Sequence, residues 1–242
     1  MSAPLRSNAN PMLRYAITDR RRLAANESAR QAALLRQATH LAAAGIDFLQ
    51  LRENDLPAAD LASLARRLLA TLRAHNPAPK LLINSRADVA LAIRADGVHL
   101  TSAPGQLTSV QIRALYSAAN LPEPIISLSC HTLDEVTRAA SASPNNRPTH
   151  ILFGPVFEKI VSEANSSQKF IADKKIAAGS GLDLLRAACL SAAPIPVLAL
   201  GGITHANSPS TLAVGAAGIA AIRLFISESV EVPPIDRNPA SP

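Results

Sequence analysis

The sequence predicts an α/β protein folded as a single-domain (β/α)8 TIM barrel. Three observations carry that reading. Eight short apolar segments recur along the chain, each about the length of one strand. Segments rich in Ala, Leu, Arg and Gln, which favour helix, alternate with them. The strands read as near-continuous apolar runs, the pattern of parallel strands covered on both faces. Eight βα units favour a closed barrel over an open doubly wound sheet, and a chain of 242 residues fits the roughly 250 of such barrels.

The elements follow in order. Residues 1–12 are polar and carry Pro and Asn, and read as a flexible tail. Leu13 to Thr18 is the first strand. Glu27 to Ala44 is a helix, and Gly45 is its stop. Ile46 to Leu51 is the second strand, and Ala58 to His75 a helix ended by Asn76-Pro77. Lys80 to Ile83 is the third strand, followed by Asn84 and a short helix over Ala87 to Ile93. Gly97 to Leu100 is the fourth strand, and Thr108 caps a helix running to Ala119. Ile125 to Ser129 is the fifth strand. After Cys130 and His131, Thr132-Leu133-Asp134-Glu135 forms an S/T-x-x-E capping box that opens the next helix.

Thr149 to Phe153 is the sixth strand, stopped by Gly154-Pro155. The long polar connection from Pro155 to Ser180 breaks the rhythm. A structureless loop longer than about 12–15 residues is uncommon in a compact domain, so it reads either as a mobile lid or as a tolerated surface insertion. Leu182 to Ala192 is a helix, Ile195 to Leu200 the seventh strand, and Ser210 to Val214 part of a short helix. Gly218 to Ile222 is the eighth strand, with a short helix after Arg223. The barrel domain spans residues 13–230, and residues 231–242 form a Pro-rich tail.

Composition narrows the partners. The formal net charge of +6 suits nucleic acid or an anionic metabolite. The arginines are scattered and aromatics make up 3%, which leaves no base-stacking platform, so no nucleic-acid partner is expected. No stretch reaches the roughly 20 apolar residues of a membrane helix, and the N-terminus lacks a signal-peptide core. Two cysteines make no disulfide framework, so a reducing compartment is the default. A cytoplasmic protein with no membrane partner is the expectation. A homodimer stays open.

Residues just after the strands of a parallel barrel share one rim, where such folds keep their chemistry. Here these are Thr18, Asp19, Arg20, Gln50, Arg52, Asn84, His99, His131, Gly154, Gly202 and Arg223. Gly201-Gly202 after strand seven lets backbone approach an anion without a Cβ between them, and Arg223 after strand eight adds a fixed charge. His131, whose ordinary pKa lies near neutrality, reads either as a general base or as part of the following helix cap. His99, inside its strand, reads as a satisfied core histidine. Cys130 and His131 alternate, so their side chains point opposite ways and do not form a catalytic pair. No metal site is expected. The rim holds no carboxylate cluster, and Asp19 and Asp88 are its only nearby candidates.

Several segments are recognisable together. They are YAITDR at 15–20, GIDFLQLRE at 45–53, LLINSRADVALAIRADGVHL at 81–100, ILFGPVFE at 151–158, VLALGGI at 197–203 and GAAGIAAI at 215–222. From about Arg14 to Ile226 the chain resembles the thiamine phosphate synthase/TenI superfamily. The resemblance implies a (β/α)8 barrel and one of two activities. The synthase joins a pyrimidine diphosphate to a thiazole phosphate with magnesium. The TenI-type tautomerase aromatises a thiazole carboxylate phosphate by moving a proton, without metal.

Departures from the synthase pattern favour the second. Asn54 stands where that pattern has lysine, and Ser85 and Thr101-Ser102-Ala103-Pro104 stand where it has metal-binding aspartates. Glu158-Lys159-Ile160 replaces its threonine- and lysine-bearing loop. Losing both carboxylates removes the magnesium charge that steadies a leaving diphosphate. SCHTLDE looks like the TenI segment and places the catalytic histidine on His131; SAPGQLTSVQIRAL and ILFGPVFE are similar to TenI as well. Arg223 replaces a small hydroxyl residue, so it either pairs with the phosphate or fills its place.

The expected function is therefore metal-independent tautomerisation of a thiazole carboxylate phosphate, with no cofactor. His131 moves the proton. Gly202, Ile222 and Arg223 hold the phosphate end, while Gln50, Arg52 and Asn84 bind the rest, Arg52 or Gln50 taking the carboxylate. A thiamine phosphate synthase using magnesium is the alternative, and a non-catalytic barrel that binds thiamine-pathway phosphates is a third.

Overall fold

In the computed structural model the described residues are 12–101, 105–161, 175–177 and 179–226. The expected tails at 1–12 and 231–242 lie outside them, apart from Met12. Eight parallel strands close a barrel: β1 (Leu13–Ile17), β2 (Phe48–Leu51), β3 (Lys80–Asn84), β4 (Gly97–Thr101), β5 (Ile125–Cys130), β6 (His150–Phe153), β9 (Val197–Leu200) and β10 (Gly218–Ala221). Each pairs with its neighbours, and β1 closes on both β10 and β2, with Ala16 opposite Ala221 and Ile17 opposite Gln50.

Helices α1 (Glu27–Ala43), α2 (Ala58–Arg73), α3 (Ala87–Ile93), α4 (Ser109–Ala118), α5 (Leu133–Ser141), α6 (Gly181–Ala192) and α7 (Ser208–Ala213) surround it. The capping residues act as their sequence suggests. Thr108 and Thr132 each form a full capping box, with Gln111 and Glu135, and each ties down otherwise orphaned N–H groups. The helix expected after Arg223 is a single 3-10 turn, Arg223–Phe225. Among the described residues no helix is long and apolar enough to cross a membrane.

One expectation is corrected. The connection after β6 is not structureless throughout. Strands β7 (Lys159–Val161) and β8 (Lys175–Ala177) pair antiparallel, with Ile160 opposite Ile176. The ends of the connection are also tied together, by Ser180 N donating to Pro155 O at 2.7 Å and Gly181 N to Val156 O at 2.9 Å. Alternating Lys-Ile-Val and Lys-Ile-Ala triplets suit a short ribbon; so brief a pattern is hidden by its polar surroundings. The rest of the proposed lid, 162–174 and 178, lies outside the described residues.

Side-chain alternation divides the core in two. Leu49, Leu51, Ile83, Val98, Ile126 and Phe153 point outward and pack under the helices. Tyr15, Ile17, Leu82, Leu152, Leu198 and Ala220 point inward. The barrel axis is more polar than its strands suggest. Tyr15, Phe48 and His150 pack ring to ring, with centroids 4.9 to 5.6 Å apart, and His99 lies 6.5 Å from Tyr15. His99 is the satisfied core histidine the sequence suggests, bonded to Ser127 Oγ and Ser129 Oγ at 2.9 Å each.

A buried arginine joins the ends of β1 and β2. Arg20, 2% exposed, bonds Glu27 through Nε and Nη2, Asp55 through Nη1 and Nη2, and Glu53 through Nη1. Those contacts occupy all of the roughly five N–H donors a guanidinium owns. Glu53 Oε1 also accepts from Thr18 Oγ1 at 2.6 Å and from Arg20 N at 3.0 Å. The hydrogen bonds to Arg20 hold the Glu27 and Asp55 carboxyls below their ordinary range.

Burial pushes His99 down to about 3, with the charges of His150 and Arg52 adding to it, and burial pushes His150 down to about 4. Both folded values lie below the ordinary 6.5, so between them the unfolded chain binds more protons. Stability is therefore complete above pH 6.5 and falls as pH drops from there through about 4 for His150 and about 3 for His99. Denaturation across that range is expected to show the slope, up to about 1.4 kcal/mol per pH unit for each histidine. His150→Phe, which keeps the ring against Phe48, is expected to flatten it; an unchanged slope would assign it to other groups.

Candidate active site

The C-terminal ends of the strands open into a cavity of about 820 Å³. All seven residues expected at the site line it: Gln50, Arg52, Asn84, His131, Gly202, Ile222 and Arg223. The sequence analysis did not assign Glu158, Thr204 or His205 to it, although they line it too. The signal for Thr204 and His205 was their place just after the Gly-Gly turn. Glu158 is brought in by the loop after β6, whose path no local pattern shows. His99 and Ser129 are buried, yet they also form part of the cavity wall.

One end of the cavity is amide and cation. Gln50 Nε2 donates to Asn84 Oδ1 at 2.8 Å, and Asn84 Nδ2 donates to Asn54 Oδ1 at 3.2 Å. With the amides oriented this way, Gln50 Oε1 is left buried without a hydrogen-bond partner among the described residues. An unpaired buried acceptor costs about 1–3 kcal/mol, which a ligand's N–H or O–H donor would relieve. Gln50 Nε2 also owns a second N–H, so the same amide can donate to a carboxylate as well. Arg52 is exposed and makes no ion pair among the described residues, while its backbone N–H donates to Thr18 Oγ1 at 2.9 Å.

Gly202, Ile222 and Arg223 form the other end. The loop after β6 also requires the two glycines. A Cβ on Gly201 would lie 2.7 Å from Pro155 Cα, and one on Gly202 would lie 2.7 Å from Phe157 Cβ and 2.8 Å from Glu158 O. Both also have positive φ, 93° and 66°. The missing side chains make room for the loop after β6. That loop is how the glycines shape the mouth.

His131 sits between β5 and α5. Its backbone N–H donates to Glu135 Oε2 at 2.5 Å and so joins the helix cap, but its ring does not. Nδ1 meets Gly154 O at 2.5 Å instead. A carbonyl only accepts, so Nδ1 carries the proton, and in the neutral ring Nε2 keeps the lone pair. Cys130 points the other way, fully buried in the outer core, where burial and then the Glu135 charge push its thiol up to about 12. It is no nucleophile there.

Carboxylates are scarce. Among the described residues Glu158 is the only one lining the cavity, and no group of three or more His, Cys, Asp or Glu side chains gathers to hold a metal. Asp19 pairs with Arg22 and Asp88 with Arg86. Ser85, at the place of one metal aspartate in the synthase pattern, does not line the cavity, and residues 102–104 near the other lie outside the described residues.

A closed parallel barrel with a cavity at the C-terminal ends of its strands, lined by Arg52 and Arg223, defines an α/β-barrel protein with its candidate site where such folds keep their chemistry. Comparison narrows the class. The chain matches the family described as thiamine monophosphate synthase over residues 14–225, and it belongs to that thiamine phosphate synthase/TenI superfamily. It is 37% identical over 216 residues to a "Putative thiamine-phosphate synthase" of Geobacter sulfurreducens, covering 88% of this chain and 86% of that one. It is 34% identical to the "Thiamine-phosphate synthase" of a Roseiflexus species, covering 88% and 77%. Among solved structures, the thiamine phosphate pyrophosphorylase from Pyrococcus furiosus superposes with a TM-score of 0.64 at 27% identity, covering 90% of this chain and 89% of that one.

Gly202→Ala is expected to destabilise the protein by about 1–3 kcal/mol, through its positive φ and the clash with the loop at Phe157. Chemical denaturation measures this. Wild-type stability in the variant would mean that the loop retreats freely.

Proposed function

We propose that the chain is an enzyme of thiamine biosynthesis that joins hydroxymethylpyrimidine diphosphate to a thiazole phosphate. The names of its relatives support this transfer better than the tautomerisation that the sequence alone favours. The observation that carries it is the acceptor Gln50 Oε1 and the cation Arg52, both unpaired among the described residues and both lining the cavity. An aminopyrimidine brings an N–H donor to the first, and its diphosphate brings negative charge to the second.

In this reading the thiazole phosphate lies against Gly202, Ile222 and Arg223. The thiazole ring nitrogen attacks the methylene carbon of the pyrimidine, the carbon–oxygen bond to diphosphate breaks, and its electron pair leaves on the diphosphate. Arg52 holds that developing charge. The magnesium that the synthase resemblance implies does not fit the donors of this mouth, where Glu158 is the only lining carboxylate among the described residues, and no step is assigned to it.

The same shortage favours a second reading. With Nδ1 anchored on Gly154 O, Nε2 of His131 is available to accept and return a proton, which is what metal-free aromatisation of a thiazole carboxylate phosphate requires. Arg52 then takes the carboxylate.

Two assays separate them. Release of pyrophosphate and formation of thiamine phosphate from the two substrates, with magnesium present, is the expected result. Turnover of the thiazole carboxylate phosphate without metal, lost in His131→Asn while product binding remains, would replace the first reading with the second. Binding without either turnover would leave a non-catalytic barrel. Arg223→Ala is expected to weaken thiazole phosphate binding about tenfold. Unchanged affinity in calorimetry would mean that Arg223 occupies the phosphate's place instead of binding it.

A further inference from the structure

Arg52 is followed closely by two acidic residues, in the order Arg52-Glu53-Asn54-Asp55. Either carboxylate lies close enough along the chain to compete for Arg52 if it is not held elsewhere. Among the described residues neither pairs with Arg52, and both are bound to Arg20. Glu53 is drawn into the wall, its side chain 2% exposed. We propose that Arg20 is a positioning residue for anion binding: by holding Glu53 it leaves Arg52 unneutralised at the mouth. The inference rests on the reading above, in which Arg52 meets an anionic group of the substrate.

Two features of the geometry support it. The contacts are directional, since Arg20 meets Glu27 and Asp55 with two nitrogens each and Glu53 with a fifth hydrogen bond. A lysine at position 20 would keep the charge but offers about three donors from one point, too few and too close together for that set. The clamp also reaches Arg52 directly. Thr18 Oγ1 donates to Glu53 Oε1 and accepts the backbone N–H of Arg52 at 2.9 Å, so one hydroxyl fixes both the restrained carboxylate and the backbone from which Arg52 projects. A carboxylate released by Arg20 would lie next in the chain to an unpaired guanidinium, and pairing there would neutralise the charge meant for the ligand.

Inorganic pyrophosphate, titrated by calorimetry into the full chain, tests this. Arg52→Ala is expected to weaken its binding about tenfold, and Arg20→Lys about fivefold. Adding Glu53→Gln to Arg20→Lys is expected to restore most of the affinity, because the amide does not neutralise Arg52. A merely structural defect would not be restored by removing a second charge, and failure of that rescue overturns the proposal. Wild-type affinity in Arg20→Lys overturns it as well. If Arg52→Ala itself changes nothing, the reading of Arg52 falls first and the proposal with it. Should Arg20→Lys not fold, Thr18→Val and Thr18→Ser serve instead. The valine is expected to weaken pyrophosphate binding and the serine to retain it; equal affinities in the two overturn the proposal.

Discussion

The mouth of this barrel depends on one buried guanidinium. Arg20 follows β1, its partners Glu53 and Asp55 follow β2, and Glu27 opens α1. Three segments are thus joined at one point under the rim. Burying a charge is costly unless it is paired and fully hydrogen-bonded, and this one is. Removing one partner of such a set typically costs about 3–5 kcal/mol, because the rest stay buried without compensation. The clamp is therefore more than a surface ion pair. It determines where the segment carrying Gln50 and Arg52 leaves the barrel.

That placement gives the cavity two unlike ends. The Gln50–Asn84 pair and Arg52 offer an acceptor, an amide relay and a cation, and the Gly202–Arg223 end offers a second cation. Below them the barrel axis holds two histidines that burial keeps neutral, so the floor adds hydrogen-bonding groups without adding charge. The cationic pull on an anion comes from the rim alone. His131 stands at that rim with one nitrogen committed to Gly154 O, an anchor that sets its tautomer and its ring direction together.

The order of strands and helices was legible because parallel strands need long apolar runs and helices need their own period, and both survive in the linear text. The rim residues were legible for a related reason. Strand ends in a parallel barrel all face one side, so position in the chain gives position in space, and Gln50, Arg52, Asn84, His131, Gly202, Ile222 and Arg223 meet in one cavity. What each residue is for was less legible. Gly201 and Gly202 read as an anion cradle, and their missing side chains also admit Pro155 and Phe157. Gln50 read as one of two candidates for a carboxylate, and its bond to Asn84 leaves a buried acceptor besides. The pairing of β7 with β8 was hidden because three-residue strands leave almost no periodic signal.

The sequence by itself determined the barrel, its element order and the ring of residues around its mouth, because each follows from local periodicity and from the shared direction of parallel strands. Only the tertiary structure decided the charge state of that mouth. Arg20 and Glu53 lie 33 residues apart and His131 and Gly154 lie 23 apart, and no local pattern relates either pair. Which carboxylate neutralises which cation, and which nitrogen holds a proton, depends on distances that exist only once the barrel has closed.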